Sequence, residues 1–135
     1  MRKQTAVLLL VIVAVAALSL AACGPKGPTE VHVKLSEFHV VMDKTSIPAG
    51  PVKFIIDNAG AVVHEVVLEP AGVDDQPFEA NGKASEVEDI ASGASATLEW
   101  TIDTPGDYQL ACHIKEGNED HYAAGMVTTF TVTAP

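Results

Sequence analysis

The chain has 135 residues and a formal net charge of −10, with 18 acidic side chains against 8 basic ones. Such an excess of negative charge argues against nucleic acid as a partner and favours soluble partners or partner surfaces that are basic. The length allows one small domain with a single core.

The first residues have the features of an export signal. A short cationic start at Arg2 and Lys3 precedes an uncharged apolar run, and small residues lead into Cys23. This order predicts a signal peptide over residues 1–22. The sequence LAAC, ending at Cys23, resembles the lipobox of bacterial lipoproteins, which implies a lipidated cysteine anchored to the cell membrane and facing the periplasm or the cell exterior. An uncleaved membrane-spanning helix over residues 6–22 is the alternative, because that run is just long enough to cross a bilayer.

The chain after the signal divides into a tether and a domain. Residues 23–29 are rich in Gly and Pro and are predicted to be a tether, and residues 30–135 are predicted to be one domain. Loss of the two positive charges of the signal changes the formal charge from −10 to −12. Cys112 is then a lone thiol of the domain in an oxidising compartment. A disulfide between Cys23 and Cys112 is the alternative.

Most of the domain consists of short strand patterns between turn residues. Alternating apolar residues and closing turn residues predict strands at 31–35, 38–42, 52–60, 62–70, 96–102, 107–114 and 126–134. The acidic stretch over residues 71–92 has no clear period, and a short helix over residues 85–90 is one interpretation of it. Strands at this spacing, without a long helical pattern, predict an all-β fold, an antiparallel sandwich or barrel.

Candidate metal ligands are concentrated in CHIKEGNEDHYAAGM, which runs from Cys112 to Met126. Thiolate and thioether groups favour Cu(I), imidazole suits either oxidation state, and a His2Cys site with a weak axial Met is typical of blue copper. Cys112, His121 and Met126 are therefore three candidate copper ligands. A second histidine must come from elsewhere, and His64 on a predicted strand is the candidate.

Three motifs are similar to those of the cupredoxins, the plastocyanin-like type 1 copper proteins. NAGAVVHEVV resembles the segment that presents the first histidine, PGDYQLAC resembles the approach to the cysteine, and HYAAGMV resembles the second histidine and the axial methionine. The resemblance implies a cupredoxin-like Greek-key β-sandwich or barrel of about seven to eight strands. It also implies one copper ion per chain, bound by His64, Cys112, His121 and Met126.

The resemblance further implies a one-electron carrier, not an enzyme, that cycles between Cu(II) and Cu(I). His121 is expected to present an exposed edge through which the electron leaves. Val62, Ala123 and Ala124 are expected to form a small apolar docking patch around this edge. The acidic surface would steer basic redox partners of a membrane electron-transfer chain. We expect the protein to be a monomer.

Three other functions are considered. A lipoprotein that delivers or buffers copper is the main alternative, although three methionines, one of them the initiator, are few for that role. A copper reductase and a metal-free structural sandwich are the others.

The string ACHIKE is similar to the His-Cys-His-Ile element of multicopper oxidases, and the long loop after the cysteine resembles that of copper nitrite reductases. Both enzymes carry a histidine immediately before the cysteine, where this chain has Ala111, which argues against an enzyme.

The remaining polar residues near the motifs have less defined roles. His32 and His39 are expected at the surface, and His113 is expected to face solvent or to pack under the loop. Glu65 stands where plastocyanins have an asparagine that ties two ligand loops together. The loop over residues 113–120 is acidic and lacks the proline that is common in small cupredoxins. Its negative charge is expected to lower the reduction potential modestly, and its length to make it more mobile before metal binds.

Overall fold

The computed structural model describes residues 27–135; the predicted signal peptide and Cys23 lie outside this range. Every regular element in this range is a strand, and the range contains no helix of the length and hydropathy needed to cross a membrane. The strands are β1 (Thr29–Ser36), β2 (His39–Met42), β3 (Ser46–Pro48), β4 (Gly50–Asn58), β5 (His64–Pro70), β6 (Glu79–Ala80), β7 (Lys83–Ala84), β8 (Glu86–Ile90), β9 (Ser95–Ile102), β10 (Gly106–Ala111), β11 (Lys115–Glu116), β12 (Glu119–Asp120) and β13 (Val127–Thr133).

Two sheets form a sandwich. The first sheet has four strands in the order β2-β1-β4-β9, and the second has five in the order β3-β13-β10-β5-β8. Pairs β1/β4 and β13/β3 are parallel, so the sheets are mixed, whereas an antiparallel arrangement was predicted. The predicted all-β sandwich is confirmed, with nine strands in its two sheets and four short strands in two separate hairpins.

Alternating apolar residues let each sheet bury one face. In β1, Val31, Val33 and Leu35 are buried while the residues between them are exposed, as the two-residue period of a strand requires. Phe54 of β4 continues this face and meets Phe130 of β13 edge-on, with ring centroids 5.9 Å apart. The aromatic pair joins the two sheets across the core.

Buried hydrogen bonds order the acidic stretch that follows β5. Glu69 lies on the face of β5 away from the core and is nevertheless fully buried. The backbone N–H of Gln76 donates to Glu69 Oε2 at 2.6 Å, and that of Gly72 donates to Gln109 Oε1 at 2.8 Å. Buried polar side chains need such partners. Residues 71–77 therefore cover the sheet through polar contacts, which explains why they lack an apolar period.

The short helix considered for residues 85–90 is wrong. Glu86–Ile90 forms β8, which pairs antiparallel with the edge of β5. The pairing shifts register between His64 and Val66, and Asp89 has a φ of 54°, both features of a β-bulge. The extra residue of the bulge interrupts the two-residue period, and the strand is therefore inconspicuous in the sequence.

The strand directions bring several connections to one end of the sandwich. β1 and β4 run parallel and finish together, with Leu35 opposite Asn58. β5 begins at His64, directly after the loop that follows β4. β10 finishes at Ala111, opposite the first residue of β13, Val127. The segments that follow β1, β4 and β10 therefore meet at this end.

Removal of the Phe54 ring tests which face of β4 forms the core. We expect Phe54→Ala to lower the free energy of unfolding by about 3–5 kcal/mol, because the ring is fully buried and leaves a cavity. Ile55→Ala, one position along the same strand on the opposite face, is the matched control and should cost much less. Urea unfolding measures both. Equal losses at the two positions would contradict the assigned core face.

Candidate metal centre

Three of the four predicted ligands come together in the fold. His64, Cys112 and His121 are buried, and one potential ligand atom from each lies within 4.8 Å of the others. Cys112 Sγ is 3.3 Å from His121 Nδ1, and the rings of His64 and His121 have centroids 5.2 Å apart. His64 begins β5, while the other two flank the β11/β12 hairpin. The sandwich therefore unites residues that are distant along the chain.

Met126 is fully buried and belongs to the same apolar cluster as Cys112. Its backbone N–H donates to the carbonyl of His121 at 2.9 Å, and its carbonyl accepts from the N–H of Cys112 at 3.0 Å. These two bonds close the segment 112–126 at its base. One backbone frame thus holds all three predicted C-terminal ligands.

Burial sets the ionisation of two candidate ligands. Desolvation lowers the pKa of His64, which favours the neutral imidazole, and raises the pKa of the Cys112 thiol. A thiolate at Cys112 therefore needs a positive charge beside it, which a metal ion supplies. His64 Nδ1 is buried without a hydrogen-bond partner, unlike most buried polar atoms. A neutral imidazole with a free nitrogen next to a buried thiol fits a copper ion.

The outer ring nitrogen of His64, Nε2, is hydrogen-bonded to Glu37, which lies in the turn between β1 and β2. Glu37 Oε1 lies 3.3 Å from His64 Nε2 and also accepts from the N–H groups of Ala61 at 2.7 Å and Val62 at 3.0 Å. Hydrogen bonds, foremost that from Val62, lower the pKa of Glu37. Sequence reasoning missed this residue because it lies 27 positions from His64 and no motif marks it.

Asn58 and Gly60 shape the loop that leads to His64. The Asn58 amide nitrogen donates to two backbone carbonyls, each at 2.8 Å, and its oxygen accepts from the N–H of Gly60 at 2.9 Å. A Cβ at Gly60 would collide with the Glu37 carboxylate and lie 3.0 Å from His64 Nε2. A side chain at this position is therefore incompatible with the contact between Glu37 and His64.

His121 does not present the exposed edge that we expected. It is only 1% exposed, and Phe38, beside Glu37 in the same turn, packs on it with ring centroids 4.8 Å apart. Phe38 is itself only partly exposed. The expectation failed because it considered the ligand loop alone, whereas the covering ring comes from the turn between β1 and β2.

Exposed apolar side chains adjoin both histidines along the chain. Val62, Ala123 and Ala124, the residues of the predicted docking patch, are exposed. Val63 is as exposed as Val62, at 38% each. We call these four residues the apolar patch.

His113 is buried and does not join the three clustered ligands. Its Nε2 lies 2.8 Å from Glu69 Oε1, and its ring stacks on Tyr122 with centroids 4.6 Å apart. Packing under the loop, one of the two expectations, is therefore what the structure shows, and a solvent-facing ring is wrong. His32 and His39 are exposed, as predicted.

Glu65 ties the two ligand segments together. Its Oε1 accepts from the backbone N–H of His113, the residue after Cys112, at 2.7 Å. Burial raises the pKa of Glu65. The carboxylate thus makes a link of the kind that the asparagine provides in plastocyanins.

The acidic segment between Cys112 and His121 is a small hairpin. β11 and β12 pair antiparallel, and Lys115 Nζ lies 3.2 Å from Asp120 Oδ2. Gly117, in the turn, has a φ of 61°, which glycine adopts without strain. Asp120 Oδ1 also accepts from the N–H of Ala123 at 2.9 Å. The insert therefore has its own local structure.

A family model described as "Cupredoxin-like domain" matches residues 6–128. The chain belongs to the cupredoxin-like family. Auracyanin B has the same fold as this cupredoxin, with a TM-score of 0.62 and 23% identity over 84% of this chain and 95% of that chain. Reduced auracyanin from Roseiflexus castenholzii has a TM-score of 0.55 and 21% identity, and the match covers 82% of this chain and 99% of that chain. Auracyanin A from Chloroflexus aurantiacus is described as a "blue" copper protein. It has a TM-score of 0.51 and 20% identity, and the match covers 79% of this chain and 100% of that chain.

Ceruloplasmins match a shorter stretch of this cupredoxin. The protein of Rattus norvegicus is 47% identical over 49 residues, and that of Ovis aries is 48% identical over 48 residues. The match covers 36% of this chain and only 4% of each ceruloplasmin. The family and the cluster of His64, Cys112 and His121 together point to copper binding.

Truncation of His113 separates folding from metal binding. We expect His113→Ala to lower the free energy of unfolding by about 3 kcal/mol, because Glu69 then loses a buried partner. Copper binding should persist, since His113 is not part of the ligand cluster. Urea unfolding and copper titration measure the two effects, with the exposed His32→Ala as control. Loss of copper binding at unchanged stability would contradict this role.

Proposed function

We propose that this cupredoxin is a type 1 blue-copper electron-transfer protein. The observation that carries the proposal is the buried cluster of His64, Cys112 and His121, with ligand atoms within 4.8 Å of one another, on a cupredoxin fold. When bound, copper supplies a one-electron Cu(II)/Cu(I) couple. The chain's task is to hold its ligands in one arrangement through both oxidation states.

The proposed ligands of a single ion are His64, Cys112, His121 and Met126. Cys112 contributes its sulfur as thiolate, and His64 contributes the free Nδ1. Met126 contributes a weak thioether ligand. Backbone hydrogen bonds from Cys112 to Met126 and from Met126 to His121 keep the loop ligands in place. A frame closed by such bonds resists movement of the ligands between the two oxidation states, and this keeps the reorganisation energy of electron transfer low.

The cover of the site determines how a partner approaches it. Both histidines are buried, so water does not reach them, and the apolar patch lies beside them along the chain. We propose that a partner docks on the apolar patch and receives the electron across the thin layer that includes Phe38. The net charge of −10 favours a basic docking face. The protein acts as a monomer.

The proposed location is the outer face of a cell membrane. Lipidation of Cys23 would anchor the domain there, in the periplasm or at the cell exterior, near membrane-bound redox partners. A catalytic role is not proposed, because Ala111 stands where a histidine for a second copper would precede Cys112. Burial of the ligands also disfavours a delivery role, which needs easy ligand exchange.

Addition of Cu(II) to the purified protein should produce an intense absorption band near about 600 nm from thiolate-to-copper charge transfer. Cys112→Ser and His121→Ala should abolish the band, while His32→Ala, an exposed histidine, should keep it. Visible spectroscopy and native mass spectrometry give the band and the stoichiometry, expected to be one copper per chain. A colourless wild-type complex, or a band that survives in Cys112→Ser, would contradict the proposal.

A further inference from the structure

We propose that Glu37 is a positioning residue that fixes the ring orientation and tautomer of His64 and favours the more highly charged copper ion. This inference rests on the proposed copper site. It concerns a residue outside the ligand set, in the turn between β1 and β2 of the first sheet, whereas His64 lies in the second sheet. Its support lies in the contacts of one carboxylate oxygen.

Three donors converge on Glu37 Oε1. These are the N–H groups of Ala61 and Val62 and the outer nitrogen of His64, at 2.7, 3.0 and 3.3 Å. A carboxylate can only accept hydrogen bonds, so His64 Nε2 must carry the proton. The lone pair is then on Nδ1, the buried nitrogen that has no partner. Glu37 thus leaves His64 with the nitrogen that a metal needs.

The surroundings of Glu37 are shaped for this contact. Gly60 lies so close that a Cβ there would collide with the carboxylate. The loop that contains Gly60 is fixed from outside, since Ser92 Oγ donates to its carbonyl at 2.7 Å and the N–H of Ala59 donates to the carbonyl of Leu35 at 3.0 Å. The carboxylate, on a side chain that is 34% exposed, is therefore held between the end of β1 and the start of β5.

A carboxylate in this position has an electrostatic consequence that a neutral acceptor lacks. Hydrogen bonding to a carboxylate makes the imidazole a stronger donor to a metal, and such outer partners commonly change metal affinity 10–100-fold. The added negative charge stabilises Cu(II) more than Cu(I). Glu37 is therefore expected to lower the reduction potential.

A structural latch is the competing explanation, in which Glu37 only ties the β1/β2 turn to the loop of Ala61 and Val62. Both explanations predict that Glu37→Ala destabilises the fold. Only the positioning role predicts a change in the His64 tautomer and in the reduction potential. The experiment therefore compares Glu37→Ala with Glu37→Gln, whose amide oxygen can still accept hydrogen bonds but carries no charge.

The first measurement uses the metal-free full-length protein and nitrogen-15 NMR of the His64 imidazole. In the wild type and in Glu37→Gln, the proton is expected on Nε2. In Glu37→Ala, a mixture of tautomers is expected. An unchanged tautomer in folded Glu37→Ala would overturn the inference, and because no metal is present, this result does not depend on the proposed function.

The second measurement is the reduction potential of the copper-loaded protein. Glu37→Gln should weaken the preference for Cu(II) over Cu(I) up to about tenfold, a rise of about 59 mV for one electron. Glu30→Gln makes the same charge change at the other end of β1 and should shift the potential far less. Equal shifts in the two variants would overturn the inference. Failure of the wild type to bind copper would instead contradict the proposed function.

Discussion

The constraint on which the site depends is a buried imidazole nitrogen without a partner. His64 Nδ1 lies in the interior of the sandwich, where an unpaired polar atom costs free energy. Its other nitrogen is occupied by Glu37, so the ring cannot turn to satisfy Nδ1 without losing that contact. The thiol of Cys112, whose pKa is raised by burial, is similarly unsuited to the interior as a thiolate. One cation beside both groups would relieve both costs, and metal binding would then stabilise this end of the sandwich.

The architecture divides the work between the two sheets. The second sheet supplies His64 and the ends of the loop that bears Cys112 and Met126. The turn between β1 and β2 of the first sheet supplies Glu37 and Phe38. The ligands are thus held from one side of the core and covered from the other. Packing of the sheets, exemplified by the Phe54 and Phe130 rings, is therefore a condition for assembling the site as well as the core.

The sequence predicted what depends on local pattern. Cys112, His121 and Met126 lie close together along the chain in a recognisable spacing. The main strands alternate clearly between apolar and polar residues. Both the ligands and these strands could therefore be predicted. Contacts between distant residues were not: Glu37 meets His64 across 27 positions, and no pattern connects Phe38 with His121. Local irregularity hid other features, since the bulge in β8 breaks its period and the β11/β12 hairpin is too short to alternate.

The phenyl ring over His121 has a consequence for chemical access. Because His121 is only 1% exposed, a small hydrophilic chelator or inorganic oxidant meets hydrocarbon before it meets a ligand nitrogen. Such molecules would have to displace Phe38, and with it the turn that also carries Glu37. Under the proposed function, a protein partner would need only to rest against the ring. The cover would thus discriminate by size and polarity, and it would separate the proposed electron exchange, which tolerates a thin apolar layer, from metal exchange, which does not.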